Sequence, residues 1–302
     1  MPSAWELGGL SKWELAKRVG KGINDDDVFG RAAQLAYNFL FAIFPGLIFV
    51  TAVLGMLAGP GSQLRESLMR YMSRAMPPAA ATLVERNLQQ TSQASGGWKL
   101  AIGLILALWS ASAGMAALQD TLNAVYNVKE GRPFWKARGL AIVLTIVCSV
   151  LVLVALAIIL YGNAAANFVS SHRGLGPVIT WTWKLVQWPV AFFFLTLVFA
   201  IIYYAAPDVQ QRHWQWISPG AVIGIALWLI VSFGFRVYLH FFNAYSATYG
   251  ALGAVIILML WFYVTGAAVL TGGEVNAEIE DAAAKRGEPE AKQKGQKTPQ
   301  AA

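Results

Sequence analysis

Long stretches without a charged side chain constrain this sequence more than any other feature. A transmembrane helix needs about 20 mainly apolar residues to cross the hydrocarbon core of a bilayer. Segments 32–64, 100–119, 139–172 and 185–207 contain no charge, and Arg236 is the only charge between 213 and 273. A polar break near 243–248 divides that last stretch. The sequence therefore predicts six transmembrane helices, near residues 33–58, 98–118, 139–162, 181–206, 216–240 and 249–272.

Composition indicates the same class of protein. The 302 residues are 57% hydrophobic and only 13% charged, whereas a soluble domain carries about 25% charged residues. The apolar segments show no regular alternation with polar residues, which favours helices over strands, and we predict an all-α polytopic membrane protein. A soluble enzyme, a disordered protein and a disulfide scaffold are excluded, and the single cysteine, Cys148, can form no internal disulfide.

The distribution of Lys and Arg predicts the orientation. With six spans both termini lie on one side, where the loops and termini hold 15 Lys and Arg residues against 5 on the other side. Cytoplasmic loops carry the excess of positive charge, so both termini are predicted to be cytoplasmic. This asymmetry accounts for the net charge of +7 without a nucleic-acid partner.

The remaining segments complete the predicted domain organisation. Residues 1–31 form a cytoplasmic amphipathic segment, in which Ser11–Lys21 is expected to lie on the inner leaflet. Residues 32–280 form the transmembrane domain. An insert at 59–97, between the first two spans, is predicted to be an amphipathic helical hairpin on the outer side. Residues 281–302, rich in Lys, Gln, Glu and Ala, are predicted to be a disordered cytoplasmic tail.

Several sequence blocks resemble the YihY/BrkB family of bacterial inner-membrane proteins. They follow the family's order across residues 31–280. The blocks are Ala33-Gln34-Leu35-Ala36-Tyr37 with Phe44-Pro45, Leu108-Trp109-Ser110-Ala111-Ser112, Leu122-Asn123-Ala124-Val125-Tyr126, Glu130-Gly131-Arg132-Pro133-Phe134-Trp135, Tyr249-Gly250-Ala251-Leu252-Gly253, Trp261-Phe262-Tyr263 and Gly273-Glu274-Val275-Asn276-Ala277-Glu278. The resemblance implies a multi-pass protein of the bacterial inner membrane.

What the resemblance implies about activity is varied: the family has carried a ribonuclease BN label, a virulence label, and proposals of solute or lipid export. A metal-dependent nuclease needs clustered His, Asp and Glu, but His172, His213 and His240 are far apart. The dense acidic run Asp25-Asp26-Asp27 is interpreted as a helix-start signal. We therefore expect no enzyme activity, no catalytic residues, no metal and no cofactor.

Polar and aromatic residues in or beside the spans are the candidates for a solute pathway. Hydrogen bonding between helices and simple packing are the alternative roles for most of them. Asp120 and Glu274 close their spans on the predicted cytoplasmic side, where they would pair with Arg132 or Arg138 in a closed state of the pathway. Aromatic faces bind quaternary ammonium groups, and Tyr37, Trp109, Tyr249 and Trp261 are candidate walls for such a group. The full set of candidates is Gln34, Tyr37, Asn38, Pro45, Trp109, Ser110, Asp120, Asn123, Tyr249, Trp261, Glu274 and Asn276.

The functional hypothesis is a permease or exporter that moves small polar solutes, including zwitterionic compatible solutes, across the inner membrane. Two alternatives stay open: an exporter or flippase of envelope lipid, and a membrane scaffold that transports nothing. The expected partners are the lipid bilayer and a small polar solute or lipid, and a homo-oligomer is compatible with the sequence.

Overall fold

The computed structural model describes residues 4–57, 97–173, 176–210, 217–241, 244–288 and 290–298. Within these residues all regular secondary structure is helical, which confirms the predicted all-α class. A short 3₁₀ segment, Ala4–Gly9, comes first. The α-helices are α1 (Lys12–Asp25), α2 (Val28–Leu57), α3 (Gly97–Val125), α4 (Phe134–Arg173), α5 (Gly176–Ala205), α6 (Pro219–Phe241) and α7 (Ala244–Lys285).

Five segments of these helices are long and apolar enough to cross a membrane, judged by length and composition. They are Ala101–Val125, Phe134–Ala155, Leu185–Ala205, Pro219–Tyr238 and Val255–Lys285. Helix α2 coincides with the first predicted span but is not among these five. Six spans and cytoplasmic termini therefore stay predictions. The predicted outer-side insert falls almost entirely on residues 58–96, which lie outside the described residues.

Large apolar side chains point outward along the spans. Leu185, Ile230 and Phe233 are between 67% and 70% exposed. In water such surfaces would be an aggregation hazard, whereas lipid tails solvate them at no cost. Outward-facing apolar side chains and a mostly helical backbone are the expected structure of a bundle that is embedded in a bilayer.

The chain divides into two compact units, and several helices contribute to both. The first unit consists of Met1–Phe29, Gln119–Ile230 and Ala267–Ala302. The second consists of Gly30–Leu118 and Val231–Gly266. In the first unit α4 and α5 pack against each other.

Helix α1 begins with a capping interaction that its sequence specifies. The backbone N–H of Glu14 donates to the Ser11 side chain over 3.1 Å, which satisfies one free donor of the first turn. Leu15 and Val19 lie on one face and pack against Val275 and Ile279 of α7. These apolar residues of α1 are therefore covered by protein, and the position of the segment on the inner leaflet stays a prediction.

Glycines allow α6 and α7 to touch through their backbones in the first unit. A Cβ atom added to Gly220 would clash with the carbonyl oxygen of Gly272, and one added to Gly272 would lie 3.1 Å from the Cα of Gly224. The hydroxyl of Tyr203 donates to the Val269 carbonyl over 2.7 Å at the same crossing. Small residues at helix contacts are typical of membrane bundles, where close packing replaces the hydrophobic effect.

The second unit is also packed around small residues. A Cβ atom on Gly114 would lie 2.9 Å from the Phe39 ring, so α2 and α3 approach closely there. The rings of Phe39 and Phe262 are 5.7 Å apart in an edge-to-face arrangement. A small residue of α3 therefore permits the close contact with α2.

The structure differs from the predicted disordered tail. Helix α7 continues to Lys285, and residues 290–298, here called the C-terminal strap, are bonded to two loops. The Gly295 N–H donates to the Tyr126 carbonyl over 2.9 Å, and the Gln210 N–H donates to the Lys297 carbonyl over 2.7 Å. The low hydrophobicity of the tail suggested disorder, but ion pairs rather than apolar burial hold this segment.

Candidate functional site

The ammonium group of Lys294, in the C-terminal strap, lies among three carboxylates of the first unit. It donates to Asp26 Oδ2 over 3.1 Å and to Glu274 Oε1, and it lies 3.0 Å from Glu278 Oε1. We call Asp26, Glu274 and Glu278 the acidic cradle. A lysine ammonium has three N–H donors, so a single cation can serve all three carboxylates.

Local structure explains why these carboxylates converge. Glu274 and Glu278 are four residues apart on α7 and therefore share one helix face. Asp26 follows the end of α1, where its backbone N–H donates to the Gly22 carbonyl over 2.8 Å. The side-chain amide of Asn127 donates to Asp26 Oδ1 over 3.1 Å and fixes the orientation of that carboxylate.

Glu274 is the most deeply buried member of the acidic cradle. Its side chain is 0% exposed, although it lies on a helix whose apolar segment is long enough to cross a membrane. Gly22 of α1 covers it so closely that a Cβ atom there would clash with the carboxylate. Glu274 Oε2 accepts no hydrogen bond from the described part of the chain. A buried, incompletely bonded carboxylate is costly, and an ionisable group in a membrane-crossing helix is a candidate for a functional site.

The protonation state of Lys294 follows from its surroundings. Burial alone would lower the pKa of its ammonium group. Hydrogen bonds and charge from Glu274 and Glu278 outweigh burial and raise the pKa of Lys294 above its usual value. The acidic cradle therefore holds a charged ammonium at physiological pH.

An open pocket of about 530 Å³ borders the acidic cradle. Its wall includes Asp26, Glu278 and Lys294 from the cluster already described. The other lining residues are Arg18, Lys21, Gly22, Asp25, Asn127, Asp281, Lys285 and Gln293. Acidic and basic side chains are equally numerous in this wall, which makes the pocket suited to small polar solutes that carry charge.

A second ionic cluster holds the loop between α3 and α4. Arg132 donates to Glu130 Oε2 over 2.6 Å and lies 3.7 Å from Asp208 Oδ1, and Lys297 of the strap also pairs with Asp208. Burial alone would raise the pKa of Glu130. Hydrogen bonds and charge from Arg132, with a hydrogen bond from Asn123, instead lower the pKa of Glu130 from 4.5 to about 2.

Three of the predicted pathway residues in the first unit make specific polar contacts. Asn123 donates to Glu130 over 3.0 Å and accepts from the Asp208 N–H over 2.6 Å. Asn276 accepts from the Gly220 N–H over 2.9 Å and donates to Ser218 over 3.1 Å, so it bonds the start of α6. Glu274 is the third, in the acidic cradle.

The structure differs from the predicted pairing of Glu274 with Arg132 or Arg138. The partner of Glu274 is Lys294, and Arg132 forms its ion pairs with Glu130 and Asp208. Asp120 and Glu274 also differ in burial, because Asp120 is exposed. The charge of Asp120 nevertheless helps to raise the pKa of Arg132, after the larger effect of Glu130.

The described contacts of the predicted pathway residues in the second unit include one hydrogen bond and two aromatic contacts. Asn38 donates to the backbone carbonyl of Gln34 over 2.8 Å within α2. The ring of Tyr37 lies 4.7 Å from that of Phe41, and the ring of Trp261 lies 5.5 Å from that of Phe262.

The other candidates of that unit are placed as follows. Pro45 is inside α2, Trp109 and Ser110 are exposed on α3, and the side chain of Tyr249 lies outside the described residues. An aromatic site for a quaternary ammonium group stays a prediction.

Sequence reasoning missed several members of the acidic cradle and the second cluster. The sequence predicts a disordered tail around Lys294 and a helix-start signal at Asp26. The only signal for Glu278 was its position four residues after Glu274. Glu130 and Asp208 were unremarkable loop residues, because nothing in the chain order shows that residues 130 and 208 meet.

Comparison with known proteins identifies the family. The family model described as "Virulence factor BrkB" matches residues 19–297, which include the C-terminal half of α1, the acidic cradle and most of the strap. The chain belongs to the BrkB family. This confirms the resemblance seen in the sequence. No solved structure matches the chain.

Two relatives illustrate the spread of names in the BrkB family. The chain is 37% identical over 247 residues to a "Putative ribonuclease-like protein YfkH" from Bacillus subtilis (strain 168), covering 82% of this chain and 88% of that protein. It is 28% identical over 275 residues to a "UPF0761 membrane protein" from Xanthomonas oryzae pv. oryzae (strain PXO99A), covering 88% of this chain and 60% of that protein. Together with the five apolar helices, these relatives show that this BrkB-family chain is a multi-pass protein of a bacterial membrane.

Proposed function

We propose that this protein moves small polar solutes across the bacterial inner membrane and that the acidic cradle is part of its solute pathway. The observation that carries this proposal is Glu274, a carboxylate with no exposed surface on a helix that is otherwise apolar enough to cross a membrane. Ionisable groups in such helices usually face a pathway or a partner. Here the partner is Lys294, and Lys294 also lines a pocket.

The charges of the pocket support a polar solute. Its wall presents carboxylates and cationic side chains together, so that it can bind both ends of a zwitterion or a small ion of either sign. If both termini are cytoplasmic, as the Lys and Arg distribution predicts, the pocket opens to the cytoplasm. Solutes would then enter from the cell interior, as export requires.

We propose no enzyme activity for this chain. The carboxylates of the acidic cradle surround a lysine ammonium, whereas a metal-dependent nuclease uses such groups to hold divalent ions and activate a water molecule. The name of the Bacillus subtilis relative is therefore not carried over to this chain.

Flux through purified protein tests the proposal. Liposomes with and without the protein are loaded with labelled betaine, 1,4-diaminobutane or glycerol, and loss of each solute is followed after dilution. We expect protein-dependent loss of at least one charged solute, with glycerol as the control for leakage. Absence of protein-dependent flux for every solute would contradict the proposal. Protein-dependent movement of labelled phospholipid between leaflets, without solute flux, would favour the lipid alternative instead.

A further inference from the structure

We propose that the acidic cradle is a binding site for the primary ammonium group of a small organic cation, and that Lys294 occupies this site as a tethered competitor. The inference rests on the proposed function, since it names the chemical class of the solute. It concerns a site formed by Asp26, Glu274 and Glu278 around a single cation.

The geometry favours a primary ammonium over other cations. Lys294 directs its N–H donors at carboxylates on two different elements, the end of α1 and one face of α7. A quaternary ammonium has the same charge but no N–H donor, so it cannot form these hydrogen bonds. Charge-assisted hydrogen bonds are about twice as strong as neutral ones. The acidic cradle therefore discriminates between cations by their N–H donors as well as by their charge.

Glu274 supplies an independent indication that the site is built for a ligand. Its side chain is fully buried, and its Oε2 atom has no hydrogen-bond donor in the described residues. Three carboxylates face one ammonium, which leaves acceptor capacity that Lys294 does not use. A ligand whose ammonium group lies where the Lys294 ammonium now lies needs a further donor beside that ammonium to satisfy this buried oxygen.

Lys294 also stands between the pocket and the buried carboxylate. The pocket wall includes Asp26, Glu278 and Lys294, and Lys294 in turn contacts Glu274. When the Lys294 side chain moves aside, the pocket of about 530 Å³ extends toward Glu274. The space is large enough for a small alkylammonium ion.

The strap makes Lys294 an effective competitor. Backbone hydrogen bonds at Gly295 and Lys297 hold the strap after Lys294, and the ion pair between Lys292 and Glu280 holds it before Lys294. A group tethered by a short segment acts at an effective concentration on the order of millimolar. A free ligand must displace it, so the wild-type protein binds more weakly than a variant without the Lys294 side chain.

Calorimetric titration of purified, detergent-solubilised full chain tests this site. The probe is n-butylammonium, which reproduces the lysine side chain, and the control probes are n-butanol and tetramethylammonium. Lys294→Ala is compared with the wild type and with Lys17→Ala, which removes an equal charge from an exposed position of α1. Lys294→Ala is expected to bind n-butylammonium about tenfold or more tightly than the wild type, because the tethered competitor is gone.

The expected pattern is specific. Lys17→Ala should bind like the wild type, and adding Glu274→Gln to Lys294→Ala should remove the gain. Equal affinity in Lys294→Ala and wild type, or equal binding of tetramethylammonium and n-butylammonium by Lys294→Ala, would overturn the proposal.

If Lys294→Ala does not fold, rescue of folding by n-butylammonium tests the proposal instead. In that case n-butylammonium present during extraction should restore a monodisperse protein and n-butanol should not. Absence of rescue by n-butylammonium would overturn the proposal. Because the titration needs no transport, specific binding without flux in liposomes would contradict only the proposed function. Flux without ammonium binding would contradict only this site.

Discussion

The ammonium of Lys294 contacts the carboxylate of Glu274, a residue 20 positions earlier in the chain and fully buried on α7. This contact joins the C-terminal strap to a helix with a membrane-crossing apolar segment. Removing one partner of a buried ion pair is strongly destabilising, since the other charge stays buried. The ion pair therefore holds the C-terminal strap at the acidic cradle.

Substitution of Gly22 tests whether ammonium binding requires the present position of the Glu274 carboxylate. A Cβ atom in Gly22→Ala would clash with the Glu274 carboxylate. We expect loss of n-butylammonium binding by the Lys294→Ala background and a stability loss of about 1–3 kcal/mol, typical of overpacking. Thermal unfolding and titration measure the two effects.

The matched control for this variant is Gly20→Ala on the same helix. No atom lies within 4 Å of the added Cβ atom there, so unfolding and binding should match the parent or show slightly higher stability, because alanine favours helix. Equal behaviour of the two alanine variants would show that the Gly22 contact has no role.

The Glu130 cluster predicts a stability loss in acid. The pKa of Glu130 is lowered from 4.5 to about 2, so its ionised form favours the folded state. This contribution is complete above about pH 4.5 and decreases as pH falls toward about 2. Glu130→Gln should be less stable than the wild type at neutral pH, and the difference should shrink across that window. A difference that is constant from pH 6 to pH 2.5, measured by thermal unfolding, would contradict this assignment.

The α6–α7 crossing predicts that Gly272 tolerates no side chain. A Cβ atom there would meet the Gly220 carbonyl and the Tyr203 hydroxyl. Gly272→Ala should destabilise the protein by about 1–3 kcal/mol.

Gly139→Ala on α4 is the matched control, because its added Cβ atom has no neighbour within 4 Å. It should leave the midpoint of thermal unfolding unchanged or slightly higher. If Gly272→Ala unfolds at the same temperature as Gly139→Ala, the close crossing is not a determinant of stability.

Much of the fold could be predicted from the sequence, because membrane helices are encoded by local composition. Each predicted span lies within one observed helix or differs from it by a few residues at an end; the fifth, near 216–240, corresponds to α6 at 219–241. The observed helices are mostly longer than predicted, since polar residues outside the hydrocarbon core also continue them. The predicted span 249–272, for example, is part of α7, which ends at Lys285.

The site could be predicted only in part. Glu274 is a candidate because a carboxylate closes an apolar span, and Asn123 and Asn276 are candidates because they are polar residues just beyond the ends of predicted spans. Their partners Lys294, Asp208 and Ser218 come from distant positions, and a single sequence contains no signal for such pairings. The strap is predicted to be disordered because composition indicates only how much apolar surface a segment can bury. It does not indicate the ion pairs that hold this segment.

Asp120 and Glu274 differ in burial, although the sequence places both at the cytoplasmic end of a predicted span. Glu274 is buried beside Lys294, whereas Asp120 is exposed. Asp120→Asn should therefore reduce solute flux less than Glu274→Gln at equal protein abundance. A larger loss in Asp120→Asn would place the important charge on α3 instead of α7.

The most direct test of the account is solute flux in liposomes that contain Glu274→Gln, with the labelled solute that the wild type moves fastest. Glu6→Gln, at an exposed position ahead of α1, is the control for removal of a carboxylate charge. We predict that Glu274→Gln lowers flux about tenfold or more, the effect of losing roughly 1.4 kcal/mol of stabilisation, while Glu6→Gln matches the wild type. Wild-type flux in correctly folded Glu274→Gln would contradict the claim that the acidic cradle belongs to the solute pathway.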